Sequence, residues 1–190
     1  MSRQPSKKDL LLEAGLDIFF EKGFERATID EIVDRANCGK GTFYRYFQSK
    51  ETLLNKLEER FRKAIMQELE ENCPFSLPVE EFLLAALKTF VRVFKVNHRL
   101  GLVKFAHDQQ TGIKLSEDDK NPAGMIYLEN YIKQSIAEKK LRELSVPSFK
   151  AVLFGAVHFF VFRDFKLGIS LSERELKDTV DLILNGALPS

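Results

Sequence analysis

Lys40, Gly41 and Thr42 open a short segment that continues Phe43-Tyr44-Arg45-Tyr46-Phe47. On a helix, Phe43 and Phe47 stand one turn apart and form a buried edge, leaving Lys40, Thr42, Tyr44 and Arg45 to point elsewhere. Lysine and threonine beside a glycine suit a helix end that must approach the edges of bases, because the glycine removes a side chain where backbone comes close. Thr28, Tyr44, Tyr46 and Lys50 are donors spaced to hold phosphate oxygens on either side of such an end. The chemistry on offer is recognition of a polyanion.

The elements that must carry these residues are helices. Apolar positions recur at helical spacing almost throughout, and no sustained alternation supports a sheet. Leu11, Leu12, Gly15, Ile18 and Phe19 make the stripe of a first helix, from about Lys8 to Lys22, stopped by Gly23 in a left-handed conformation. Thr28 and Glu31 form a capping box for a second helix whose Ile29, Ile32, Val33 and Ala36 face inward. It ends at Asn37, which tolerates positive φ. The third helix runs from Gly39 or Lys40 to Phe47, and Ser49 caps a fourth that reaches about Asn72. Leu53, Leu54, Leu57, Phe61, Ala64, Ile65 and Leu69 line one side of the fourth. Further helices are predicted over about 79–97, 100–110, 122–140 and 147–166, and a last one opens at the Ser172–Glu175 capping box. The stretch 111–121 reads as a loop. The expectation is an all-α chain of about nine helices, divided at residue 50 into a helix-turn-helix domain (1–50) and a larger helical domain (51–190).

Composition narrows the functional class. Hydrophobic residues make up 44% of the 190 and charged residues 30%, which excludes collagen-like and wholly disordered chains. The two cysteines, Cys38 and Cys73, have neither disulfide-scaffold nor zinc-ribbon spacing. Asp9, Glu13 and Asp17 interrupt the first apolar run, so no signal peptide is expected. The longest apolar run, 151–162, is shorter than the ~20 residues a bilayer needs. No membrane partner and a cytoplasmic location are therefore expected. His98, His107 and His158 match no metal-ligand pair, and no nucleophile elbow, phosphate loop or paired-carboxylate site emerges. No metal, no cofactor and no catalytic residue are expected.

The formal net charge is only +1, yet the charge is segregated. Arg3, Lys7 and Lys8 precede any acid. Two bases face eight acids over residues 9–34, and Arg35, Lys40, Arg45 and Lys50 then follow without an acid. Two basic clusters flanking an acidic stretch suit a local phosphate-binding face. Ordinary solvated helix faces would show the same pattern, so charge alone does not decide.

Residues 11–54, and above all Phe19-Phe20-Glu21-Lys22-Gly23-Phe24, the helix from Thr28 to Ala36, and Lys40 to Phe47 followed by Ser49-Lys50-Glu51, resemble the N-terminal domain of TetR-type transcriptional repressors. The resemblance implies that Lys40, Gly41 and Thr42 read bases, that Thr28, Tyr44, Tyr46 and Lys50 hold phosphates, and that Arg45 contacts either. Asn37, Cys38 and Gly39 depart from the usual glycine, aliphatic residue and Ser or Thr cap. It further implies a repressor that binds a palindromic operator in double-stranded DNA as a homodimer and is released by a small-molecule effector. An activator of the same architecture, or a helical ligand-binding protein retaining the module as scaffold, shares these features.

Two further sets of residues follow. Aromatics with a few polar neighbours (Phe94, His98, Phe105, His107, Tyr127, Tyr131, Phe159, Phe162 and Arg163) are candidates for an effector pocket, although most such aromatics belong in a core. Leu153, Gly155, Ala156, Phe159 and Phe160, with Leu176, Val180 and Ile183, offer two apolar helices for a four-helix dimer interface.

Overall fold

A computed structural model describes residues 5–103 and 123–185. All the regular elements among them are helices: α1 (Lys7–Lys22), α2 (Ile29–Arg35), α3 (Lys40–Tyr46), α4 (Lys50–Asn72), α5 (Val79–Val96), α6 (Ala123–Ala137), α7 (Val146–Leu167) and α8 (Glu173–Asn185), with a further helical segment at 98–103. The loop expected at 111–121, and most of the helix expected at 100–110, lie outside the described residues.

Local chemistry sets the helix boundaries. Ser6 and Asp9 form a capping box that starts α1 one residue before the expected position. Gly23 ends α1 with its N–H on the Phe19 carbonyl; its φ is 81° as a glycine permits, but its ψ of 153° sends the chain out extended rather than left-handed. Thr28 and Glu31 make the expected reciprocal box on α2. Asn37, at φ 47°, supplies the positive-φ residue between α2 and α3. Gly39 caps α3 without a side-chain bond. At α4 the Ser49 hydroxyl accepts from the Thr52 amide at 3.3 Å while the Ser49 amide donates to the Thr52 hydroxyl at 3.2 Å. Ser145 caps α7 with Pro147 in its first turn, Gly168 ends it in the left-handed region, and Ser172 and Glu175 pair as expected ahead of α8.

The described chain forms two compact units: residues 5–61 with 97–103, and residues 62–96 with 123–185. In the first, α1, α2 and α3 pack on one another around Leu11, Leu12, Phe19, Ile32, Phe43 and Leu53. Each such fully buried side chain contributes about 1.5–3 kcal/mol. Gly15 allows α1 its close approach to the first half of α4, since a Cβ there would stand 2.6 Å from Leu53 Cδ2. Leu100 and Val103 complete this core although they lie far along the chain. Composition changes near residue 50, but α4 runs unbroken through that point and belongs to both units.

In the second unit α5 is central, packing on α7 and α8, while α6 packs on α7. α5 buries Phe82, Leu83, Ala86, Leu87 and Phe90, α7 buries Leu153, Val157 and Phe160, and α8 buries Leu176, Val180 and Leu184. Ala64, expected on the apolar side of α4, is exposed, whereas Ile65 and Leu69 of the same expected side are buried. The apolar run at 151–162 lies inside the 22-residue α7, because its apolar character extends to both flanks. That helix is long and apolar enough, at a mean hydropathy of 1.3, to cross a bilayer. Core helices of folded domains meet the same criterion, and α7 buries Phe149, Leu153, Val157 and Phe160.

Candidate nucleic-acid interface

α3 divides as its sequence demands. Phe43 and Phe47 are 0% and 2% exposed, with ring centroids 5.7 Å apart. On the other faces Lys40, Gly41, Tyr44, Arg45 and Tyr46 are exposed and Thr42 is half-buried. A Cβ placed on Gly41 would meet nothing within 4 Å, so the backbone there is open to an approaching surface. The Arg45 guanidinium lies 4.9 Å from the Tyr46 ring centre and donates to its hydroxyl at 3.2 Å, which presents the two as one unit.

The remaining expected contact residues are engaged within the protein. Lys40 Nζ pairs with Asp30 of α2 at 2.7 Å, and that carboxylate raises the lysine pKa. Both side chains are largely exposed, so the pair is easily exchanged for another anion. Thr28 is exposed, but its hydroxyl donates to Glu31 and accepts from the Glu31 amide. Lys22 binds the same carboxylate, and its hydrogen bond is the largest cause that pulls the Glu31 pKa from 4.5 to about 2. Lys50 Nζ donates to the carbonyls of Phe24, Glu25 and Ala27.

Sequence reasoning missed two features of this unit. Lys7 Nζ reaches the Asn37 carbonyl at 3.3 Å, joining the start of α1 to the turn before α3. Arg35 makes a two-pronged bond with Glu21, both distances 2.9 Å, and lies 3.9 Å from Asp17, which also binds Arg99. Neither is signalled by local spacing, since the partners are 14 to 82 residues apart.

The expected pocket residues do not come together as one group. Tyr127 and Tyr131 share an aromatic cluster with Phe75 and Phe82, and their hydroxyls donate to the Cys73 and Leu77 carbonyls at 2.9 and 2.8 Å. Burial pushes both phenol pKa values up. These tyrosines thereby secure the turn between α4 and α5. Phe94 is half-buried with its ring 5.9 Å from that of His158, whereas His98 belongs to the first unit, edge-on to Phe20. Phe159 and Phe162 face outward, and Arg163 binds Glu175 of α8 with its guanidinium near the Phe159 and Phe160 rings. Phe105 and His107 lie outside the described residues.

The two helices expected at a dimer interface also divide by face. Leu153, Phe160, Leu176 and Val180 are buried within the second unit, and Ala156 and Ile183 are half-buried. Gly155 is exposed, on a stripe with Val152, Phe159 and Phe162, and Leu182 is exposed on α8. That stripe was illegible because α7 is apolar on nearly every side.

Comparison with known proteins places these features. Residues 11–57 match the family described as "Bacterial regulatory proteins, tetR family". The HTH-type transcriptional regulator YhgD of Bacillus subtilis (strain 168) is 32% identical over 106 residues, which is 56% of this chain and 55% of that protein; the chain therefore spans about half the length of this curated relative. A TetR family transcription regulator from Marinobacter aquaeolei VT8 superposes with a TM-score of 0.80 at 15% identity, covering 97% of this chain and 96% of the other. The regulator FadR of Bacillus subtilis, in complex with stearoyl-CoA, superposes at 0.68 with 20% identity, covering 93% and 95%. The matched segment contains the whole helix-turn-helix, from the α1 stripe through Lys50, and the neighbours share the all-helical fold over almost the full chain: in residues 11–57 the protein is similar to the tetR family of bacterial regulatory proteins, and beyond them it shares the fold of the solved neighbours.

Proposed function

We propose that the protein is a homodimeric, sequence-specific DNA-binding repressor, acting in the cytoplasm and released from a palindromic operator by a small molecule. The observation that carries this reading is the division of α3: two phenylalanines hold it in the core while Lys40, Gly41, Tyr44 and Arg45 stand exposed. α3 enters a major groove, with Lys40 and Thr42 at base edges and Tyr44, Arg45 and Tyr46 at the backbone. Lys40 exchanges Asp30 for the DNA at little cost, because an exposed ion pair is worth at most about 1 kcal/mol.

The outward stripe Val152, Gly155, Phe159 and Phe162 of α7, with Leu182 of α8, supports pairing with a second copy about a two-fold axis. Two recognition helices then address grooves roughly 34–36 Å apart. α4 belongs to both units, so an effector bound in the second unit acts on DNA affinity through it; a coupling of ~1–3 kcal/mol gives 5–150-fold release. Long-chain acyl thioesters are the first effector class to test, since a protein of this fold binds stearoyl-CoA.

Selection of bound fragments from random DNA tests the reading. The expected result is an inverted repeat bound by the dimer with strong salt dependence. Binding without sequence preference refutes it.

A further inference from the structure

Lys40 is the first residue of α3, and no acid lies between Arg35 and Lys50 in the sequence to neutralise it. Its ammonium finds one on the neighbouring helix instead: Asp30, in the first turn of α2, at 2.7 Å. The two acids of that turn have separate tasks. Glu31 completes the capping box with Thr28 and binds Lys22, while the Asp30 carboxylate turns to α3. Asp34, one turn further along α2, adds a weaker through-space attraction on the same lysine. Together they raise the Lys40 pKa, the Asp30 hydrogen bond most of all. The side chains of Lys40 and Asp30 are 60% and 61% exposed, so the pair lies where an external anion can reach it. The lysine at the tip of α3 is thus already holding an anion.

We propose that Asp30 is an autoinhibitory contact on the DNA-reading helix: in the free protein its carboxylate occupies the Lys40 ammonium, and DNA must displace it. This rests on the DNA-binding reading above and adds to it the residue that sets the affinity threshold. A lysine already satisfied gains from DNA only the difference between two anions, so a weak encounter with phosphate does little to recruit it. The scale is that of an exposed ion pair, whose loss is worth at most about fivefold in affinity.

The test uses the full chain with DNA fragments selected by the wild type. Affinities come from fluorescence anisotropy at low salt, where exposed charges are least screened. D30N keeps the size of the side chain and leaves the Thr28–Glu31 box in place, and circular dichroism verifies that it is folded. The expected result is binding about three- to fivefold tighter than wild type. D34N makes the same change of charge one turn along the helix and should tighten binding by less than about twofold. Unchanged or weaker binding by D30N overturns the proposal. So does equal tightening by D34N, which reduces the effect to net charge. The pairing itself is read in DNA-free protein, by pH titration of the Lys40 side-chain NMR signals. The Lys40 pKa should fall toward the ordinary lysine value in D30N, and the same pKa in both proteins overturns the contact. A wild type that binds no DNA sequence sinks the DNA-binding reading instead, and is told apart because the Lys40 titration needs no DNA.

Discussion

Replacing Phe159 and Phe162 by serine should dissociate the proposed dimer while leaving each protomer folded. The rings are 58% and 57% exposed in the single chain, so more than half of each remains to be covered. For a phenylalanine of roughly 200 Å² that is about 115 Å² per ring, or about 3 kcal/mol at ~25 cal/mol per Å². A two-fold axis counts each position twice, which puts the ceiling near 6 kcal/mol per position. Interfaces return well under this ceiling, because ordering and imperfect desolvation oppose it, so about 2–3 kcal/mol is the working figure. That corresponds to roughly 30–150-fold in the dimer Kd for F159S, with F162S similar. Sedimentation equilibrium from nanomolar to high micromolar protein measures it, with circular dichroism to verify unchanged helicity. A wild type that stays monomeric throughout, or a double variant with the wild-type Kd, refutes the reasoning.

Four other outcomes are expected. Tyr44→Phe should weaken operator binding about three- to tenfold on every sequence alike, the loss of roughly one net hydrogen bond; an effect confined to particular base pairs would argue against a phosphate contact. Thr28→Ala should cost about 1 kcal/mol and lower the thermal midpoint, since it removes the hydroxyl that accepts from the Glu31 amide and donates to the Glu31 carboxylate, and an unmoved midpoint counts against it. Glu31 and Glu175 are both held near pKa 2, chiefly by hydrogen bonds from Lys22 and Arg163 respectively, below their ordinary 4.5. Their stabilisation is therefore complete above pH 4.5 and fades as pH falls toward 2; urea midpoints that stay level from pH 7 to pH 3 contradict this. Leu100→Ala should destabilise the first unit by about 2–5 kcal/mol, which hydrogen exchange at α1 and α3 would reveal.

The helix-turn-helix was legible because its signals are local. The Thr28–Glu31 box, Asn37 in the turn and the Phe43/Phe47 edge each depend on residues within four positions, where type and spacing dictate geometry. Lys50 was legible as a cation but its bonds to the Phe24, Glu25 and Ala27 carbonyls were not, since backbone carbonyls are offered by every residue type alike. The faces of α7 were hidden for a different reason. A helix apolar all round gives no periodic sign of which side is covered, so Leu153 and Phe160 were expected at an interface, Phe162 in a pocket and Phe159 in both. Tyr127 and Tyr131 carried the expected polar handles, but the carbonyls they satisfy lie 54 residues away in sequence.

Leu100 and Val103 have a consequence for biogenesis. The core of the first unit is built from two stretches of chain, and the second is synthesised only after all of α5. A nascent chain that has emerged as far as Phe61 holds α1, α2 and α3 yet lacks Leu100 and Val103, which are buried in their core. That core is completed only when residue 103 has cleared the exit tunnel, so the packing of the first unit is finished only once α5 is out.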